Sequence, residues 1–117
     1  MQFAIMTVMI DNKHNQIKID WIEIIQLKSF TYQDGDSVEA AFQQLSAPLT
    51  ATSLQEIDLF RSPHLENELS ILIKWHGDVP PNGKSGLGLQ LASAFSEFGY
   101  IDHSIWRHSS RLAHKAS

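Results

Sequence analysis

Apolar positions along this chain change their spacing several times, and each change marks an element. Trp21 to Phe30 (WIEIIQLKSF) is β-rich, with Ile22, Ile24, Ile25 and Leu27 on both parities, which predicts a central strand covered on both sides. QDGDS is a turn signal; Asp36 as N-cap and Glu39 at the third helical position then predict a capping box. Val38, Ala41, Phe42, Leu45 and Leu49 continue at helical spacing, with Pro48 expected to end the regular helix near Ser46. Two strands follow, Leu54 to Arg61 and Glu68 to His76, joined by the hairpin-sized connection SPHLEN. Beyond GDVPPNG, Ser85 is a candidate N-cap for a helix whose stripe is Leu87, Leu91, Ala94, Phe95 and Phe98, with Gly99 placed to end it. Tyr100 to His108 is the last strand, with Ile101, His103, Ile105 and Arg107 on one face.

The order strand, helix, strand, strand, helix, strand is the split βαβ arrangement. It predicts an α+β, ferredoxin-like domain: a four-stranded antiparallel sheet with two helices on one face. In the hairpin, setting Ile57 against Ile73 and Leu59 against Ile71 brings Glu56 opposite Lys74, a favourable cross-strand pair. One face of this hairpin then belongs under the helices. The other carries Phe60 and Leu72 among polar residues, joined by Ile25 and Leu27 if those share the side. So much apolar surface is poorly suited to a monomer, and a second copy of the chain is the expected cover.

Composition narrows the class. Of 117 residues, 43% are hydrophobic and 19% charged, as in an ordinary globular domain. The domain is expected over 20–108, preceded by a strand or extension (1–19) and followed by a flexible tail (109–117). Residues 1 to 10 (MQFAIMTVMI) lack a basic flank and are too short to span a bilayer, so no membrane association is expected. No cysteine is present, which removes thiol and iron–sulfur chemistry, and the cytoplasm is the expected compartment. A net charge of −4 argues against nucleic acid as a partner.

GDVPPNGKS, between a strand and a helix, looks like a phosphate-binding loop, but its glycines are separated by one residue too many. Pro80 and Pro81 also remove two of the N–H donors that such a loop needs. What survives is a modest anion site at Lys84 and Ser85, where the free N–H groups of a helix start would face a ligand; a solvated loop with an ordinary cap explains the same residues. The histidines show no metal-binding spacing, and no metal is expected. His103 is the best candidate general base or haem ligand, because its strand face otherwise reads Ile101 and Ile105 and a polar ring there needs a partner or a pocket. Trp75 and Arg107, near strand ends, have the chemistry to sandwich a planar ligand and serve equally well as core and rim.

By its element order and lengths, from Trp21–Phe30 through the Ser85 helix to Tyr100–His108, the chain resembles the dimeric α/β-barrel superfamily, and within it the antibiotic biosynthesis monooxygenase-like proteins. The resemblance implies two sheets paired face to face and a pocket between sheet and helices. Members include cofactor-independent monooxygenases acting on phenols and quinols, haem-degrading enzymes and proteins without known activity. No catalytic motif of that family maps onto this chain, so His103, Trp75 and Arg107 are candidate catalytic residues by position alone. Three readings follow. One is a monooxygenase-type enzyme acting on a small aromatic molecule, its cofactor needs unknown. The others are a non-catalytic binding module for a small molecule or anion, and a structural, partner-binding homodimer.

Overall fold

The computed structural model describes residues 18–46 and 53–112. The expected strand before residue 18, the end of the tail, Pro48 and Leu49 lie outside them. Strands β1 (Trp21–Ser29), β2 (Leu54–Arg61), β3 (Glu68–Trp75) and β4 (Gly99–Arg107) alternate with helices α1 (Tyr32–Gln43) and α2 (Gly86–Phe95) in the βαββαβ order. The sheet is antiparallel throughout and ordered β2-β3-β1-β4, the ferredoxin-like arrangement. The hairpin register pairs Glu56 with Lys74, Ile57 with Ile73 and Leu59 with Ile71, as the side-chain pattern requires.

Parity along β1 divides the molecule. Trp21, Glu23, Ile25, Leu27 and Ser29 are buried beneath the helices, together with Leu69, Ile71, Ile73 and Trp75 from β3. Val38 from α1 and Leu91 and Phe95 from α2 close this core. Ile25 and Leu27 therefore face the helices, not the open side. The apolar residues that β1 gives to the open face are Ile22 and Ile24, because isoleucine on both parities left the phase of the strand ambiguous.

The first helix begins earlier than its capping signal suggested. Its N-cap is Thr31, whose hydroxyl oxygen accepts from the Asp34 backbone N–H at 3.0 Å and donates back to the Asp34 carboxylate at 3.0 Å. Asp36 and Glu39 do not cap; they hold the Arg61 guanidinium at 2.9 and 3.0 Å, tying α1 to the end of β2. Gly35 makes room for this arginine, since a Cβ there would stand 2.8 Å from Arg61 Nη2. At the other end of the chain, Gly99 is extended (φ 176°) and opens β4, after a single 3-10 turn over Ser96–Phe98 that ends the helical segment. Its role is close approach: a Cβ would run into the Lys28 backbone of the neighbouring strand. Among the described residues, no helix is long and apolar enough to cross a membrane.

Candidate functional site

The only acid in the buried register of β1 is Glu23, and it organises the residues that carry chemistry. Its side chain is 0% exposed and that of His103 is 5% exposed. Burying a carboxylate costs several kcal/mol unless donors replace its water, roughly 3–5 kcal/mol being lost when one partner of such a pair is removed. Here the donors are complete. Oε1 accepts from the Trp75 indole N–H at 2.9 Å and from the Ser85 hydroxyl; Oε2 accepts from the Ser85 backbone N–H at 3.2 Å and pairs with His103 Nε2 at 2.8 Å. Three fixed donors, with the imidazole nitrogen as the fourth partner, occupy both oxygens of the carboxylate.

Each partner arrives from a different element. Trp75 ends β3 and stacks on Trp21 of β1, ring centroids 5.3 Å apart and planes 10° apart. His103 stands on the edge strand β4, registered against Ile25, so its ring reaches diagonally to Glu23. Ser85 is the N-cap of α2, its hydroxyl oxygen accepting from the Gly88 N–H at 2.9 Å while its own proton goes to Glu23. The helix start thus holds an anion, and that anion is the chain's own carboxylate. Lys84 beside it makes no side-chain ion pair among the described residues.

Arg107 is not brought to this cluster. It is exposed at the end of β4, opposite Trp21, with no ion pair among the described residues. Sequence reasoning found three members of the cluster, His103, Trp75 and Ser85, as separate features; it missed Glu23, which joins them. The signal was present: an acid in a strand read as covered on both sides. No group of three or more His, Asp or Glu side chains among the described residues is arranged to hold a metal ion.

Gly88 seals the arrangement. A Cβ at this position would collide with the Glu23 carboxylate, its Cδ only 2.7 Å away. Gly88→Ala is therefore expected to destabilise the protein by about 1–3 kcal/mol, although alanine normally favours a helix over glycine by about 1 kcal/mol. Chemical denaturation checks it: an unchanged or raised midpoint would show that the helix start shifts freely away from Glu23.

On the opposite side of the sheet lies a shallow concavity of about 610 Å³, with Phe60 and Tyr100 at its margins and Ser70, Gln26 and Asp102 on its floor. Phe60 is 53% exposed and Tyr100 72%; Trp106, towards the other end of β4, is 58% exposed. A smaller hollow of about 320 Å³ is lined by Phe30, Thr31, Tyr32 and Asn67.

No family model matches the chain, and no curated protein matches it in sequence. Solved structures do match. A dimeric ferredoxin-like protein from an uncultured marine organism superposes with a TM-score of 0.58 at 10% identity, covering 84% of this chain and 95% of the other. A variant of SnoaB, a cofactor-independent oxygenase from Streptomyces nogalater, gives a TM-score of 0.53 at 13% identity, over 83% of this chain and all (100%) of the other. A candidate antibiotic biosynthesis monooxygenase from Bordetella bronchiseptica also gives 0.53 at 13% identity, over 81% and 100% of the two chains. The likeness is one of topology, and it establishes that this chain has the ferredoxin-like fold found in dimeric and monooxygenase-like proteins of this architecture.

Proposed function

We propose that the protein is a homodimeric enzyme of the cofactor-independent monooxygenase type, acting on a small aromatic hydroxy compound, with His103 as its base and Glu23 as the group that positions it. The observation that carries this reading is the fully buried Glu23 carboxylate bonded to the nearly buried His103 ring. Ionisable pairs that burial makes expensive cluster at functional sites, and this pair, besides anchoring Trp75 and Ser85, supports a chemical role for His103.

The arrangement suits proton removal. With Glu23 ionised, His103 Nε2 carries the proton that points at Oε2, and in the neutral ring Nδ1 keeps its lone pair. Nδ1 then takes the proton of a phenolic hydroxyl, the oxygen keeps the electron pair, and the imidazolium that forms is stabilised by Glu23. The electron-rich phenolate is the reductant. Dioxygen is the oxidant: one of its atoms ends as a quinone carbonyl, the other leaves as water, so phenol plus dioxygen gives quinone plus water. The stacked indoles of Trp21 and Trp75 offer an aromatic wall beside the dyad. SnoaB, which shares the fold, is a cofactor-independent oxygenase, and this supports the reaction class.

Oxygen uptake with a panel of phenols and quinols tests the reading. His103→Ala is expected to lower kcat by about 10²–10⁴-fold while circular dichroism remains native. Turnover that survives the substitution would remove His103 from the reaction.

A further inference from the structure

Glu23 and His103 are closed off from solvent, so a ligand needs a way in, and the segment between β3 and α2 has the construction of a door. Gly77 (φ +100°) and Gly83 (φ +91°) both lie in the left-handed region, and a Cβ at either would meet nothing within 4 Å. Glycine is therefore required at both positions by backbone conformation, not by space. Between them Pro80, Pro81 and Asn82 form a self-contained turn, closed by the Gly83 N–H donating to the Pro80 carbonyl at 2.9 Å. The prolines keep this middle piece stiff, so bending falls on the two glycines.

The described attachments of the segment to the body are few. At one end the Gly77 N–H donates to the Asp20 carboxylate at 2.6 Å, which, as the leading cause, holds that carboxyl below its ordinary range. At the other end Ser85 donates to Glu23 through its N–H and its hydroxyl. In the middle Val79, partly buried, packs against the core, while Asp78, Pro81 and Asn82 are exposed. Trp21 follows Asp20 in the chain and stacks on Trp75, and its indole nitrogen is buried without an acceptor among the described residues. A buried N–H without a partner costs about 1–3 kcal/mol, a cost that opening to water or to a ligand oxygen would relieve.

We infer that residues 77–84 are a hinged strap, latched by Asp20 at one end and by Glu23 at the other, whose opening uncovers the Glu23–Trp75–Trp21 corner to ligand. The inference rests on the proposed site and adds how that site is reached. The strap also makes the Glu23 carboxylate both the orienting group for His103 and the latch that keeps the site dry.

Amide hydrogen exchange and tryptophan quenching on the full-length protein test it without any ligand. Asp20→Asn weakens the attachment at the Gly77 end only, where the same carboxylate oxygen accepts from the Gly77 N–H and contacts His76 Nδ1 at 2.8 Å. If the strap moves as one body, Ser85 at the far end will exchange about tenfold faster in this variant, while the β1 and β3 ladders keep their rates. Acrylamide quenching of Trp21 and Trp75, read in a Trp106→Phe background, will rise with it. Gly83→Ala, which strains the closed hinge without touching Asp20, is expected to act in the same direction. Faster exchange confined to Gly77, with Ser85 and the indoles unchanged in both variants, overturns the strap. Because no substrate enters these measurements, failure of the phenol panel would count against the dyad and not against the strap.

Discussion

Replacing Glu23 with alanine is expected to destabilise the protein by about 3–5 kcal/mol. The reason is what stays behind. Trp75 Nε1, the Ser85 N–H and hydroxyl and His103 Nε2 would all be left beneath α2 without their acceptor. Denaturant unfolding measures the loss, and a change below about 1 kcal/mol would mean that water enters the corner easily and that the carboxylate is not the anchor of the helix start. Glu23→Gln separates anchoring from chemistry. Its single oxygen can replace Oε1, but its NH₂ then faces the Ser85 N–H and His103 Nε2. One bond is lost, and the imidazole must change tautomer to accept from the amide, placing its proton on Nδ1. The variant should lose only about 1–3 kcal/mol of stability. Its turnover should nevertheless fall as far as that of His103→Ala, because Nδ1 no longer has a free lone pair. A Gln variant with near-native kcat would overturn the positioning role while leaving the structural one intact.

The same residue shows where sequence reading stops. The topology was legible because strand and helix periods are local: β2 and β3 could be registered from Ile57, Leu59, Ile71 and Ile73 alone, and Ser85 stood out as a cap. The start of α1 was misplaced because two acidic cap signals overlap within a few residues. Thr31 with Asp34 makes the cap, which releases Asp36 and Glu39 for Arg61, a partner 25 and 22 residues away. The site was illegible for a related reason. Trp75, Ser85 and His103 lie 52, 62 and 80 residues from Glu23, and only the phase of β1 decides whether that acid points into the core or away from it. Isoleucines on both parities hid the phase. The open face was affected as well: once Ile25 and Leu27 turn inward, its apolar patch rests on Ile22 and Ile24 instead.

That shift sets the second large effect, on assembly. Across the open face Trp106 aligns with Ile22, and Ile24 with Leu72, which makes an apolar patch over three adjacent strands. Beside it Lys74 bonds both Glu56 and Asp58 at 3.0 Å, and these contacts, Glu56 first, raise its pKa above the ordinary lysine value. The ammonium already has its counter-charges within its own protomer, so covering this face does not strand it. The patch and its charge cluster therefore suit a second copy packed sheet to sheet, the homodimer on which the proposed function relies. Leu72→Glu would set a carboxylate beside Ile24, near Asp58, with no cation left to pair it. In a self-complementary contact the substitution enters the interface twice. Light scattering at micromolar concentration should then fall from twice the 13.2 kDa chain mass to that of one chain: about 2 kcal/mol lost at each of the two copies of the substitution is about 4 kcal/mol, roughly a 1,000-fold weakening of association. Because Leu72 points away from Glu23 and the helices, unfolding of the monomeric variant should remain cooperative. A wild-type chain that already scatters as a monomer, or a Leu72→Glu chain that stays dimeric, would move the interface off this face, leaving Phe60, Tyr100 and Trp106 exposed for some other role.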